Sequence, residues 1–348
     1  MKEISISGRK IGKGHPVFVI AELSANHLQK FDKAVQLVKA AKAAGADAVK
    51  LQTYTPDTIT MDCDNDHFQI KQGTIWDGTT LYKLYQAAYT PWEWQPKLKK
   101  IVEDEGMIFI SSVFDNTSVD FLEKMKVPAY KIASFEVNDI PLIEYTAAKN
   151  KPMIISTGIA TVAEIKDAVA ACKRMGNRQV ALLKCTSAYP APLAEVNLRT
   201  IPDMEKFGAV VGLSDHSLGS SVPAAAVALG ACIIEKHLTL KRAEGGPDAA
   251  FSLEPGEFKL MVESVREAQE ALGKVTYTLS EKMKNNRKFS RSLFVVEDVR
   301  AGEKFTGKNI RSIRPSDGLA PKFIKEVLGK TAKKDLQKGT PFRREYIK

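Results

Sequence analysis

The sequence is poor in the features that assign a chain to a class at a glance. No apolar run reaches the ~18 residues of a membrane-spanning helix, so no membrane partner is expected. The opening residues, Met1-Lys-Glu-Ile-Ser-Ile-Ser, carry no apolar signal core, and export is not indicated. Cysteine is scarce: Cys63, Cys172, Cys185 and Cys232 lie far apart, with no Cys-x-x-Cys pair. That spacing speaks against a disulfide framework or zinc knuckle and for reduced thiols in a cytoplasmic protein. Histidine is almost as scarce, with five in 348 residues. The chain also lacks a basic helix interleaved with aromatics, so no nucleic-acid partner is expected.

What is present is ordinary for a protein with a real core: 44% of residues are hydrophobic. A length of 348 suits two domains, or one large barrel with an appendage. The net charge of +10 is unevenly placed. Residues 289–348 hold 15 Lys/Arg against 7 Asp/Glu, which leaves only +2 for everything before them. Such a basic tail suits an anionic substrate or an acidic surface.

Eight short, β-branched apolar runs recur before residue 275: Val17–Leu23, Ala48–Thr53, Met107–Val113, Ala129–Ser134, Pro152–Gly158, Val180–Thr186, Ala209–Asp215 and Cys232–Thr239. Helical patterns separate most of them. Phe31–Ala44 stops at Gly45, Thr161–Met175 opens on an N-cap threonine with Glu164 three residues on, and Pro255–Leu272 stops at Gly273. Strand-helix alternation of this kind predicts a (β/α)8 TIM barrel over residues 1–275. A polar linker, 276–288, and a small β-rich domain, 289–348, follow. The long segment between the second and third strands carries Trp76-Asp77-Gly78, which reads as a lid or as a turn pinned by a packed tryptophan.

Catalytic groups of such a barrel gather at the C-terminal strand ends. Those ends here carry Glu22; Lys50 and Gln52; Ser111-Ser112; Lys131, Ser134 and Glu136; Ser156; Lys184, Ser187 and Tyr189; Ser214, Asp215 and His216; and Glu235 and His237, with Asp248 close behind. Lysines and clustered hydroxyls converging on one mouth make a phosphate or carboxylate cradle. Glu22 and Asp248 can supply base and acid. His216 and His237 close successive strands with carboxylates alongside, which suits a borderline divalent metal or, more plainly, two hydrogen-bonded interior histidines. Two mechanisms stay open on these residues: a Schiff-base aldolase on Lys131 or Lys184, and metal-assisted carbon–carbon bond formation. A non-catalytic barrel with a polyanion- or carbohydrate-binding tail is the reading from another class.

Taken in order, Ile20-Ala-Glu22, Asn26-His27, Val49-Lys50-Leu-Gln52, Tyr130-Lys131-Ile-Ala-Ser134-Phe-Glu136, Cys185-Thr-Ser-Ala-Tyr189-Pro, Gly212-Leu-Ser-Asp-His216, Glu235-Lys-His237 and Gly246-Pro-Asp248 resemble the sialic acid synthases. These condense phosphoenolpyruvate with an N-acetylated amino sugar. The tail resembles that family's antifreeze-protein-like (SAF) domain through Ile313-Arg314-Pro315. The resemblance implies a divalent ion, usually Mn2+ with Mg2+ or Co2+ as alternatives, on His216 and His237. It implies phosphoenolpyruvate on Lys50, Ser112, Lys131, Ser134, Ser156, Ser187 and Ser214, and Glu22 acting on the attacking water. Gln52, Trp76, Glu136, Tyr189 and Asp248 would face the sugar, with Tyr189 and Asp248 also catalytic. Arg314 would reach the sugar from the partner in a domain-swapped homodimer. Two positions depart from the N-acetylmannosamine enzymes, which carry Asn at Ser187 and in the Trp76 loop. Ile75-Trp-Asp-Gly, Tyr89-Thr-Pro-Trp-Glu-Trp94 and Arg291-Ser-Leu-Phe294 instead resemble the pseudaminic acid synthase branch, whose sugar is 2,4-diacetamido-2,4,6-trideoxy-L-altrose. N-acetylneuraminate and legionaminic acid synthases are the neighbouring branches.

Overall fold

Each of the eight apolar runs forms a strand in the computed structural model, which describes residues 2–348. In chain order the strands are β1 (Glu3–Ile6), β2 (Arg9–Gly12), β3 (Phe18–Glu22), β4 (Ala48–Thr53), β5 (Ile108–Val113), β6 (Tyr130–Ile132), β7 (Met153–Ser156), β8 (Val180–Cys185), β9 (Val210–Asp215), β10 (Ile233–His237), β11 (Ser292–Val295) and β12 (Ile310–Ile313). Strands β3 to β10 are parallel and close into a barrel where β10 pairs with β3. The chain divides into two compact units, Met1–Gly273 and Lys274–Lys348.

The period of two decides what lies inside the barrel. Val19, Ala21, Val49, Leu51, Val211 and Leu213 point outward, into the main core shared with the helices. Helix Pro255–Leu272 meets that layer through Phe258, Met261, Val262 and Val265, one face of a 3.6-residue period. Thr161 and Glu164 cap helix Val162–Arg174 reciprocally, as the sequence predicts.

Inward residues of the strand starts, including Phe18, Ile20, Ala48, Ile154, Leu183 and Ile233, fill the N-terminal half of the barrel. Ile4, Ile6 and Ile11 join the same cluster from the antiparallel hairpin β1–β2. The hairpin is absent from the sequence reading, and it plugs that end of the barrel. Ile11 is fully buried. Ile11→Ala is expected to cost about 2–5 kcal/mol, read from the urea midpoint, with no change in ligand affinity at the far end.

The second unit is built on the antiparallel pair β11–β12. Its core includes Leu293, Val295, Phe305, Ile310 and Phe342, with the Phe305 and Phe342 rings edge to face at 4.9 Å. The segment read as a linker contains a helix, Glu281–Asn286, capped by Ser280. Ahead of it, Val275 and Tyr277 are 94% and 97% exposed.

Candidate active site

With the N-terminal half plugged by aliphatic side chains, polar inward residues can collect only at the C-terminal half. There they line a cavity of about 600 Å³. The structure brings Lys50, Gln52, Lys131, Ser134, Glu136, Ser156, Tyr189, Ser214, His216, Glu235, His237, Asp248 and Trp76 to this one space.

Glu235 is the hub of the floor. Its carboxylate accepts from Ser214 Oγ at 3.0 Å and lies 3.2 Å from Lys50 Nζ and 4.0 Å from Lys131 Nζ. Burial opposes its charge, but the two ammonium groups and the Ser214 bond together hold its pKa below the usual carboxylate range. Lys50 also faces the fully buried Glu22 carboxylate and reaches Ser112 Oγ at 3.3 Å. Burial, with Lys131 adding to it, outweighs Glu235 and lowers the Lys50 pKa to about 8. Lys131 donates to the Ile132 carbonyl at 2.8 Å. Five buried side-chain atoms around the cavity lack a hydrogen-bond partner: Glu22 Oε2, Glu136 Oε2, Ser156 Oγ, Glu235 Oε2 and His237 Nδ1. Glu22 Oε2 touches the Lys50 ammonium, but without a well-directed bond. Each such buried group costs about 1–3 kcal/mol, so their concentration here marks a surface shaped for polar ligands.

The two histidines face each other with ring centroids 5.3 Å apart. His216 Nδ1 lies 3.0 Å from the Thr186 carbonyl, so the proton belongs on Nδ1 and the lone pair on Nε2. Cys185 Sγ is 3.9 Å from the same nitrogen; against its own burial, His216 draws the thiol pKa down to about 7. His237 is held neutral, chiefly by burial and then by His216 and Lys50. A neutral imidazole with a free lone pair is the ligand form; His237 holds it, whereas against burial the Cys185 thiol raises the His216 pKa. Among the described residues no group of three or more His, Cys, Asp or Glu forms a metal cage. Two histidines, one with an unpaired buried nitrogen, therefore fit an open ion site completed by water or substrate rather than a closed structural one.

The upper wall is more apolar. Trp76 Nε1 donates to the Pro247 carbonyl at 2.8 Å, and its ring lies 5.2 Å from that of Tyr189. The inserted loop is thus both pinned by its tryptophan and part of the cavity wall. Tyr189 in turn lies 4.5 Å from His216 and 5.0 Å from Phe251, ring to ring. Asp248 accepts from Ser24 Oγ, and that oxygen accepts from Gln52 Nε2 at 2.9 Å. Burial raises the Asp248 pKa in spite of the Ser24 bond, and raises Glu136 to about 7.

Four of the sequence candidates sit elsewhere. Glu22 is fully buried beneath the cavity lining, against Lys50 and the Ser24 backbone N–H. Ser112 lies outside the cavity lining, and its hydroxyl accepts from Lys50 Nζ. Ser187 packs over Gly158, where a Cβ would strike the hydroxyls of Ser187 and Ser134. Arg314 is exposed on the second unit. Two further strand-end residues turn away. Lys184 donates to the Cys185 carbonyl at 2.6 Å, and Asp215 pairs with Lys236 on the outer face. Asn26 pins the Leu238 carbonyl and Ser252, and His27 bonds Thr90 at 3.0 Å; both are structural. The sequence reading misses Ser24, Tyr54, Tyr85, Cys185 and Phe251, all of which line the cavity. Alternation past Lys50 and Gln52 points to Tyr54, and alternation back from Ser187 points to Cys185. Alternation past Ile20 and Glu22 lands on Ser24, but a turn rather than the strand carries it there.

Residues 37–277 match the NeuB family, and residues 290–346 match the SAF domain. The chain is 48% identical to the pseudaminic acid synthase of Campylobacter jejuni, over 93% of this chain and 94% of that one. It is 45% identical to the pseudaminic acid synthase of Helicobacter pylori, over 95% and 98%. The N,N'-diacetyllegionaminic acid synthase of Legionella pneumophila is 35% identical, over 98% and 99%. With a matching family across the barrel, a matching domain across the tail and relatives aligned almost end to end, the chain belongs to the NeuB family.

Proposed function

We propose that the protein condenses phosphoenolpyruvate with 2,4-diacetamido-2,4,6-trideoxy-L-altrose and water, giving pseudaminic acid and phosphate. The observation that carries this reading is the meeting of Lys50, Lys131, Ser134, Ser156 and Ser214 with the histidine pair in one cavity. The choice of sugar rests on the higher identity to pseudaminic acid synthases than to the legionaminic enzyme.

In this reading the lysines and hydroxyls hold the phosphate and carboxylate of phosphoenolpyruvate. Ser112 steadies Lys50, and Ser187 supports the phosphate end. A divalent ion, Mn2+ by family resemblance, would be held by His216 and His237 and would polarise the sugar aldehyde. Carbon 3 of phosphoenolpyruvate bonds to the aldehyde carbon. Asp248, whose carboxyl pKa burial raises, supplies the proton to the new alkoxide. Tyr189 keeps its phenol proton because burial raises its pKa, so it donates to a sugar oxygen. Glu22 takes a proton from the water that adds at carbon 2, and phosphate then leaves. Gln52, Glu136 and Trp76 complete the sugar pocket.

A homodimer in which the partner's tail presents Arg314 to the sugar is part of the same proposal. It is supported by the exposed apolar side chains Met61, Ile75, Phe135, Ile159, Leu193 and Leu218 on the loops after the strands. No described helix is long and apolar enough to cross a membrane. A cytoplasmic location fits the four free cysteines. The test is phosphate release with phosphoenolpyruvate and a panel of sugars. The diacetamido-L-altrose sugar is expected to turn over about 10⁴-fold faster in kcat/KM than N-acetylmannosamine, the scale on which a site built for a polar group rejects a substrate lacking it. Release with N-acetylmannosamine or the legionaminic precursor alone reassigns the sugar.

A further inference from the structure

The ladder between β9 and β10 stops one residue short of both histidines. Its registered pairs are Ile234 with Leu213, Glu235 with Ser214 and Lys236 with Asp215. On its other edge β10 stays paired through His237, opposite Glu22. His216 and His237 therefore sit beyond the last rung that joins their strands to each other.

That last rung is unusual. Its neighbours on the outer face, Leu213 and Ile234, belong to the aliphatic core. Asp215 and Lys236 instead carry opposite charges into the same layer, 3% and 0% exposed, with Asp215 Oδ2 and Lys236 Nζ 2.5 Å apart. The network extends past the histidine. Asp215 Oδ1 accepts from Ser217 N at 2.9 Å and Ser217 Oγ at 2.8 Å, and Lys236 donates to the Ser217 carbonyl. The residues on either side of His216 are thus both tied to the residue before His237. Well-packed apolar residues usually stabilise such a position as well as a buried ion pair does. Stability alone does not account for charges here, whereas a directional clamp does.

We propose that Asp215 and Lys236 are positioning residues that fix the two strand ends so that the His216 and His237 rings face each other in the arrangement a shared ion requires. The inference rests on the metal reading of the preceding section for its purpose, but its geometry concerns the rings themselves. Outward side chains of adjacent strands set the separation and twist of those strands. The inward side chains one residue on inherit that geometry.

The test uses the full chain with histidine labelled by nitrogen-15, stripped of metal, and the double variant Asp215→Asn/Lys236→Met. Removing both charges avoids leaving either one buried alone, so the melting temperature is expected to stay well above that of Lys236→Met. The metal-free native protein is expected to show a slowly exchanging Nδ1–H resonance for His216, bonded to Thr186. The double variant is expected to lose it to exchange. Mn2+ affinity, followed by the paramagnetic resonance of the free ion, is expected to fall about 10- to 100-fold. An unchanged ring resonance in a folded double variant overturns the inference. If the native protein itself fails to bind Mn2+, the metal reading falls, and the ring resonance still decides the clamp. Should the double variant not fold, Ser217→Ala removes one bond to Asp215 and leaves the ion pair. It is expected to speed exchange of the His216 proton about two- to tenfold, and no change there overturns the clamp equally.

Discussion

His237→Ala is expected to lower kcat/KM by at least about 1,000-fold, the scale of losing several kcal/mol of charge stabilisation at the aldehyde. The same substitution should leave the fold intact. His237 Nδ1 has no partner, so removing the ring strips no hydrogen bond from that atom. A melting temperature within a few degrees of the native value is the control. Chelation of the native protein should reproduce the loss, and Mn2+ should restore the native protein but not the variant. Full turnover by His237→Ala defeats the metal role.

Lys50→Met should rival that loss, again by about 1,000-fold, because it removes the cation between two carboxylates and the expected phosphoenolpyruvate site. It also carries a pH signature. Burial lowers the Lys50 pKa to about 8. The charged form binds the anion and predominates below that value. The kcat/KM profile, which reports the free enzyme, should therefore fall as pH rises through about 8. In Lys50→Met that limb should vanish while the overall rate drops. A native profile flat to pH 10 sinks this role for Lys50.

The barrel is legible in the sequence because its two periods are clean. Val49-Lys50-Leu51-Gln52 alternates faces, and Phe258, Met261, Val262 and Val265 repeat at helical spacing. The β1–β2 hairpin escapes because Glu3–Ile6 and Arg9–Gly12 are four residues each and largely polar. Only burial in the barrel marks their isoleucines as core. Most of the site is legible for the same reason as the strands: an inward position near a strand end leads to the mouth. The failures come where that rule bends. Ser112 faces inward but is spent on Lys50, and Ser187 is drawn over Gly158. Ser24 enters the site through a backbone turn with φ +41, which no pattern of residue types announces. The outward turn of Asp215 and Lys184 also follows from alternation, once the inward partners Ser214 and Cys185 are fixed.

The plug of Ile4, Ile6 and Ile11 sets the traffic of the reaction. A barrel stopped at one end has a single doorway, and both substrates and both products must share it. The lysines and hydroxyls lie on the floor, and the aromatic wall stands above them. With the substrates placed as proposed, phosphoenolpyruvate is expected to bind before the sugar, and phosphate to leave after the larger acid, an order that product-inhibition kinetics would show.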